Sequence, residues 1–471
     1  MNEIRLAAAW VAAAVRGAIV AGDPGAEFHG VSIDTRTLAP GELFVAIRGE
    51  RFDGAEFAAE ALEKGAAGVV IAREPAAPKP VAKAAGEGRV VIEVDDTTAA
   101  LQALANRIRR ESGTKVVAIT GSAGKTTTKE VTAELLALRY RVIRNRGNFN
   151  NHIGLPLSLV ELRHRPEIAV VELGMNHAGE ISTLVRVAEP DVRVWTNVGE
   201  AHLGFFASMD AIADAKAEIL EASHESTLLV ANADDERIAV RMGRFGGRIT
   251  TFGIDRAADV RADAVIDRGI DGTTARLATP AGDVDVETPL IGRGNLANLL
   301  AAIAVALEFG VPLRAIADRA SSLTPASHRG EVVRLAGGVT LVDDSYNANP
   351  TATRRALDVL TQAAAGRRIA VLGEMLELGD RSVALHEDVG RVVAAKPIDL
   401  LLTVGGPSAA AMADAARAAG MERDRVRHFA TSDEAADAAA ALVRAGDVVL
   451  VKGSRGIRTD RVVERLKAGR G

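Results

Sequence analysis

Lys125 and Thr126 close the string Thr-Gly-Ser-Ala-Gly-Lys-Thr-Thr-Thr-Lys-Glu, residues 120–130, which directly follows the apolar run Val116, Val117, Ala118 and Ile119. A strand that turns tightly through glycines into a helix N-terminus gathers backbone N–H groups and the positive end of the helix dipole at one point. Gly121, Ser122, Ala123 and Gly124, with Lys125, Thr126 and Thr127, form a candidate phosphate cradle of this kind. Lys125 supplies a full positive charge for β- and γ-phosphates, and the Thr126 hydroxyl suits Mg²⁺. The general pattern has a further glycine five residues before Gly124, where this chain has Ile119. A surface turn around a glycine-lysine string is the competing reading, and the flanking strand and helix weigh against it. The residues predict binding of ATP or GTP.

Further along, Asn-Arg-Gly-Asn-Phe-Asn-Asn-His-Ile-Gly-Leu-Pro, residues 145–156, concentrates amides and an imidazole. Asn148, Asn150, Asn151 and His152 could contact a polar ligand, or the stretch could be an asparagine-rich turn. Glu172 ends the apolar run Ile168–Val171, where a nucleotide's Mg²⁺ is commonly held; a solvated acid is the alternative. Thr196 to Ile219 adds His202, a possible ligand for a second metal ion, and Lys216, which by its position alone reads as a solvated helix lysine.

Gly292, Gly294 and Ala297 match the glycine fingerprint of a dinucleotide fold. The following stretch, Val311 to Ser321, looks helical where that fold needs a strand, so the match is set aside. Asn295 and Asn298, near the helix start, could read an adenine edge. Three more polar strings lie just past apolar runs: Asp343 to Pro350, Gly373 to Asp380 and Val451 to Gly456. Open α/β sheets place ligand sites at such strand ends, and three together suggest a lid over the nucleotide.

These residues need a large scaffold. A chain of 471 residues exceeds a single core and predicts two or three domains. Hydrophobic residues are 48% but aromatics only 3%, so Ala, Val, Leu and Ile must do the packing, as in alternating helices and parallel strands. A net charge of -5 offers no footprint for nucleic acid. Without cysteine there is neither disulfide nor thiolate metal site, which fits a cytoplasmic protein. Leu6 to Val20 reads as a short amphipathic helix and not a signal peptide, because Glu3 and Arg16 interrupt that pattern. No apolar run reaches the roughly 18 residues that cross a bilayer, so no membrane insertion is expected.

The organisation predicted is α/β throughout, in three domains at 1–111, 112–324 and 325–471. The first carries short strands at Leu43–Ile47, Gly68–Ile71 and Val90–Val94, a surface loop at Glu74–Gly88 and a helix at Thr97–Arg110. The second adds strands at Ile168–Val171 and Val192–Trp195 and helices at Met209–Ala222 and Asn295–Phe309. Its stretch Arg248–Leu290 reads as an antiparallel insertion. The third alternates strictly, with strands at Val339–Val342, Arg368–Leu372, Leu400–Val404 and Val448–Val451, which implies a doubly wound parallel sheet.

Taken together, the motifs resemble the Mur ligase family over nearly the whole chain. Ile33 to Phe57 resembles its N-terminal uridine-nucleotide domain. The glycine loop, Asn148–Pro156, Glu172–Asn176 and the pair Asn295 and Asn298 resemble its central ATPase domain. Asp343–Pro350 and Leu372–Gly379 resemble the Rossmann-like C-terminal domain of the branch that adds D-alanyl-D-alanine. The Asp-Asn-Pro-Arg string usual in the diaminopimelate-adding relative does not occur.

The resemblance implies an ATP- and Mg²⁺-dependent ligase acting on UDP-MurNAc-tripeptide and D-alanyl-D-alanine through an acylphosphate, as a monomer. It implies that Lys125 and Thr126 grip phosphates and Mg²⁺, with Glu172 completing that metal site. His202 would bind a second Mg²⁺, and Lys216 would be the family's carbamylated lysine. Asn295 and Asn298 would face adenine, while Arg329, Asp344 and Asn347 would reach the ATP. Asp34, Thr35 and Arg36 would meet the UDP end, and Asn150 and Asn151 would line the substrate. Two departures stand out: Gly294 replaces a usual histidine, and the usual Gly-Arg appears as His328-Arg329-Gly330. A diaminopimelate-adding ligase, a folylpolyglutamate synthase and a nucleotide-driven switch are the rival readings.

Overall fold

The computed structural model describes residues 3–49, 52–73, 88–145, 147–201 and 203–470. They form two compact units, one of residues 1–118 with 140–193, the other of residues 119–139 with 194–471.

The first unit holds a five-stranded sheet in the order Ala18–Ala21, Val90–Val94, Gly68–Ala72, Leu43–Val45, Val31–Ser32. All neighbours are parallel except the first pair. Gly68–Ala72 and Val90–Val94 are near-continuous apolar runs, as strands covered on both faces require. Phe44, Ala58, Ala61, Leu62, Val69, Ile71 and Val91 fill one side of this sheet. The helix Thr97–Ser112 starts where the Asp96 carboxylate accepts from the Thr98 and Ala99 N–H groups at 2.7 and 2.9 Å. It ends at Gly113 in the left-handed region. It packs against the helices Gly154–Val160 and Glu180–Ala188 of the same unit.

The expected helix Leu6–Val20 is corrected. The helix runs only Ala8–Val15 and stops at Arg16, which takes a left-handed conformation. Ala18–Ala21 is instead an edge strand antiparallel to Val90–Val94. A Cβ on Gly17 would stand 2.7 Å from the Ile92 side chain, so the chain turns here by close backbone approach. The expected loop at 74–88 falls, but for Gly88, outside the described residues.

In the second unit the helix Lys125–Leu136 packs along Gly292–Glu308, whose Leu296, Leu299, Leu300 and Ile303 are buried. The stretch read as an antiparallel insertion is only partly that. Leu228–Asn232, Arg248–Gly253 and Val260–Asp267 pair in parallel, and only Thr273–Thr279 and Gly282–Thr288 add antiparallel strands. Polar residues in Arg248–Gly253 hid its place in a parallel sheet.

The same unit carries a six-stranded sheet ordered Glu331–Leu335, Val339–Asp344, Val448–Lys452, Arg368–Gly373, Leu400–Val404, Val426–Phe429. Every pair is parallel except the hairpin of the first two. Strict alternation is therefore corrected by two edge strands, whose Glu331, Arg334, Arg427 and His428 lack a continuous apolar signature. Val339, Leu341, Ile369, Val371, Leu402, Val404, Val449 and Val451 build the core between this sheet and its helices. Each such side chain contributes about 1.5–3 kcal/mol on burial. The strand ends Asp344, Gly373 and Lys452 lie on adjacent strands of this sheet, so the three polar strings predicted to meet do share one edge. Among the described residues no helix is long and apolar enough to cross a membrane.

Candidate active site

The glycine loop leaves the strand Lys115–Thr120 and enters its helix with Gly124 as N-cap. Gly121 (φ +152°) and Gly124 (φ +81°) take conformations that side chains resist, and both positions are crowded. A Cβ would come within 1.9 Å of Thr196 Oγ1 at Gly121 and within 2.2 Å of Asn298 Oδ1 at Gly124. The Lys125 ammonium donates to the Gly121 carbonyl at 2.8 Å, so it already lies across the loop mouth.

Residues 196–200 buttress the loop from below. Thr196 Oγ1 donates to the Ala123 carbonyl at 2.9 Å, and the Gly199 N–H donates to Ser122 Oγ at 2.8 Å. Asn197 accepts from the Ala123 N–H and donates to the Ala123 carbonyl, both at 2.9 Å. The Ser122 N–H donates to the Asn197 carbonyl at 3.0 Å. The N–H groups of Ser122 and Ala123 thus serve the protein itself. Gly121, Gly124, Lys125 and Thr126 flank these two residues at the ends of the loop. Thr127 is buried at the start of the helix.

Lys216 sits on the helix Met209–Ala217, which Ser208 caps. It is only 1% exposed, which overturns the reading as a solvated lysine. Asn298 donates to Asn295 Oδ1 at 3.2 Å, and Asn295 donates to the Ile291 carbonyl at 3.0 Å. Beside Gly294, where a histidine was expected, the Arg355 side chain approaches to 3.5 Å of the Cβ position. The helix begun by Gly292 is followed by the helix Leu313–Ala320, so the dinucleotide fingerprint lacks its strand.

From the six-stranded sheet, Arg329 Nη2 donates to Thr126 Oγ1 at 3.2 Å. Lys452 Nζ, buried, donates to Asp344 Oδ2 at 2.6 Å and to the Asn347 carbonyl at 3.0 Å. Glu200 accepts from Arg354 at 2.8 Å and from Thr351 at 3.3 Å. The loop after Gly373 is held by His386, Ser454 and Gly204, which engage the Met375 N–H, the Leu376 N–H and the Glu377 carbonyl. His202 lies outside the described residues.

In the first unit, Asn150 Nδ2 donates to Glu172 Oε1 at 2.8 Å, and Asn145 Oδ1 accepts from the Glu172 N–H at 3.0 Å. Glu172 is 4% exposed, so it is not a solvated strand end. Asn151 accepts from the Ile153 and Gly154 N–H groups at 3.2 and 2.8 Å, which shapes the turn leading into the helix Gly154–Val160. Asp34 accepts from Arg36 through the backbone N–H and the guanidinium at 2.6–3.1 Å. That hydrogen bonding lowers the Asp34 carboxyl to about 2. Thr35 offers its carbonyl to Lys64 at 3.1 Å.

Sequence reasoning missed Asn197, Glu200, His328, Tyr346, Lys452 and His386 as organisers of these loops. For Asn197, only its spatial return to Ala123 reveals its task. Among the described residues no cluster of three acidic or histidine side chains gathers as a metal centre.

A glycine loop at a helix N-terminus, overhung by strand-end loops of a second parallel sheet, defines a P-loop protein with an appended doubly wound domain. Residues 119–306 match the Mur ligase middle domain, 328–455 the Mur ligase glutamate ligase domain, and 27–109 the Mur ligase family catalytic domain. The chain belongs to the Mur ligase family. It is 37% identical to the UDP-N-acetylmuramoyl-tripeptide–D-alanyl-D-alanine ligase of Escherichia coli, with 93% of each chain covered. A crystal structure of MurF from Acinetobacter baumannii superposes with a TM-score of 0.88 at 31% identity, covering 99% of this chain and 100% of that one. MurF from Thermotoga maritima, solved with ADP, gives 0.81 at 30% identity, covering 93% and 97%.

Proposed function

We propose that this chain joins D-alanyl-D-alanine to the peptide carboxylate of UDP-N-acetylmuramoyl-tripeptide, with ATP as the energy source, in peptidoglycan precursor synthesis. The observation that carries this reading is similarity over nearly the whole chain to ligases of that name. The three domains at 1–111, 112–324 and 325–471 accord with the three family segments. The chain works as a cytoplasmic monomer.

The chemistry turns on bringing two anions together. A carboxylate is a poor electrophile until it attacks the γ-phosphate in line and becomes an acylphosphate, which the dipeptide amine then attacks with loss of phosphate. Lys125 and Arg329 lower the repulsion, because both place cations at the glycine loop. Asn295 and Asn298 lie at the helix start suited to the adenine edge, and Asp344 and Asn347 reach the nucleotide from the third domain. Asp34, Thr35 and Arg36 hold the uridine end, and Asn150 sets the Glu172 carboxylate.

The hydroxyl of Thr126 and the carboxylate of Glu172 are hard oxygen donors, and that donor chemistry fits Mg²⁺. An ammonium ion does not ligate a cation, so Lys216 would serve only as its carbamate, with His202 as a further ligand. When bound, Mg²⁺ supplies charge neutralisation between phosphate and carboxylate.

Phosphate release from ATP tests the reading in a matrix of UDP-MurNAc-peptides against D-alanyl-D-alanine, diaminopimelate and lysine. Release is expected only with the tripeptide nucleotide and D-alanyl-D-alanine together. Release with the dipeptide nucleotide and a free amino acid would replace it by the preceding ligase step, and release with no acceptor by an ATPase switch.

A further inference from the structure

Residues 328–330 join the six-stranded sheet to the glycine loop, and His328 departs from the glycine that the family resemblance leads one to expect there. Its backbone is left-handed (φ +60°), a conformation natural to glycine and costly for a histidine. The ring makes a specific contact in that conformation. His328 Nδ1 lies 2.8 Å from Oδ2 of Asp343, a carboxylate with no solvent exposure. Asp343 is fixed in turn, since the Ser345 hydroxyl donates to its other oxygen at 2.6 Å. The backbone ties agree: the Gly330 N–H donates to the Asp343 carbonyl at 2.9 Å, and the Tyr346 N–H to the His328 carbonyl at 3.2 Å.

Between these ties stands Arg329. Its guanidinium carbon lies 4.1 Å from the centroid of the Tyr346 ring, within stacking range, while Nη2 reaches Thr126 Oγ1. A long arginine side chain normally gives up much rotamer freedom to hold one such contact. Here the flanking residues meet that loss in advance.

We infer that His328, through Asp343, and Tyr346, through its ring face, are positioning residues that hold the Arg329 guanidinium against the phosphate loop at Thr126. This rests on reading residues 120–127 as a triphosphate site. Both residues act through Arg329 rather than on the nucleotide. The Asp343 contact is made with the His328 backbone in its left-handed conformation.

A double-mutant cycle separates this from a general contribution to folding. Mg-ATP affinity is read by calorimetry, and kcat and KM for ATP by phosphate release, on His328→Gly, Tyr346→Leu, Tyr346→Phe and Arg329→Ala, singly and combined. Arg329→Ala is expected to lower kcat/KM for ATP by about 10- to 100-fold, as for a lost charged hydrogen bond. Tyr346→Leu is expected to cost about 3- to 10-fold, within the range of a lost cation–π contact, and His328→Gly, which relieves the backbone but removes the Asp343 contact, about 3- to 10-fold, within the range of a lost hydrogen bond. Tyr346→Phe keeps the ring and restores the value lost in Tyr346→Leu. In the Arg329→Ala background, His328→Gly and Tyr346→Leu should have no further effect. Equal losses with and without Arg329 would overturn the inference while leaving the nucleotide site intact. Failure of the wild-type chain to bind Mg-ATP would instead overturn the triphosphate reading, and the brace with it.

Discussion

Asn197 grips Ala123 through both backbone groups, accepting from its N–H and donating to its carbonyl at 2.9 Å each. A side-chain amide is the one uncharged group that can mirror a peptide in this way. The glycine loop is thereby set before any ligand arrives, and the flexibility conferred by Gly121 and Gly124 is confined to its ends.

Replacing Asn197 should therefore loosen the loop more than its burial suggests. Asn197→Ala removes two hydrogen bonds and is expected to cost about 1–3 kcal/mol of stability, together with a rise in KM for ATP. Asn197→Asp keeps an acceptor for the N–H but turns a carboxylate oxygen toward the Ala123 carbonyl, so its KM should rise further. Thermal melts and phosphate-release kinetics check both. An Asp variant better than the Ala variant would contradict the bidentate role.

Gly124 and Asn298 are expected to be coupled. Any Cβ at Gly124 meets Asn298 Oδ1 at 2.2 Å, and φ +81° adds strain of about 1–3 kcal/mol. Gly124→Ala should lose stability by that order or more. Combining it with Asn298→Ala should recover part of the loss, because the clash partner is gone while the strain remains. Chemical denaturation of the two single variants and the double variant reads the difference, and strict additivity would show that the clash is relieved in some other way.

Much of this was legible in the chain, and the failures have one pattern. The strands Val90–Val94 and Leu400–Val404 announce themselves because buried parallel strands are near-continuous apolar runs. Glu331–Leu335 and Val426–Phe429 do not, because edge strands carry charge on their open side. The phosphate loop was readable because its chemistry is local in sequence. Asn197, Tyr346 and His386 act on partners 74, 17 and 11 residues away or are recognised only by stacking geometry, and no spacing rule reaches them. Lys216 shows the same limit from the other side: its burial depends on the packing around a helix whose own sequence looks half solvated.

Asp34, in the first unit, offers a titration prediction. Hydrogen bonds from Arg36 hold its carboxyl at about 2, below the ordinary 3.8. A lowered carboxyl favours the fold above its unfolded value, and that contribution fades as the pH falls from about 3.8 through about 2. Arg36 is largely exposed, so the energetic effect is screened and small. Arg36→Gln should move the Asp34 carboxyl up toward its ordinary value in a carbon-detected NMR titration, with the fold intact at neutral pH. An unmoved titration would mean that Arg36 is not the partner in solution.

His386 carries the opposite lesson, a fully buried ring whose neutral form the fold requires. Its Nδ1 contacts the Ser382 carbonyl at 2.7 Å, which only an N–H can do, and Nε2 accepts from the Met375 N–H at 2.8 Å. Burial lowers its pKa below the ordinary 6.5, against a raising influence from the Ser382 carbonyl and the nearby Glu374 carboxylate. Because the folded value is depressed, the unfolded chain takes up the proton first. The contribution to stability is full above 6.5 and is lost as the pH falls below it toward the folded value. Protonating Nε2 also sets two donors against each other at Met375, which would release the loop that reaches Gly204 through the Glu377 carbonyl. His386→Gln can still accept from Met375 but does not titrate. Melting temperatures measured from about pH 8 to about pH 5 should fall more steeply for the wild type than for His386→Gln, since histidine is the side chain that changes charge in that range. Parallel curves would place the acid sensitivity of the fold elsewhere and leave His386 as packing alone.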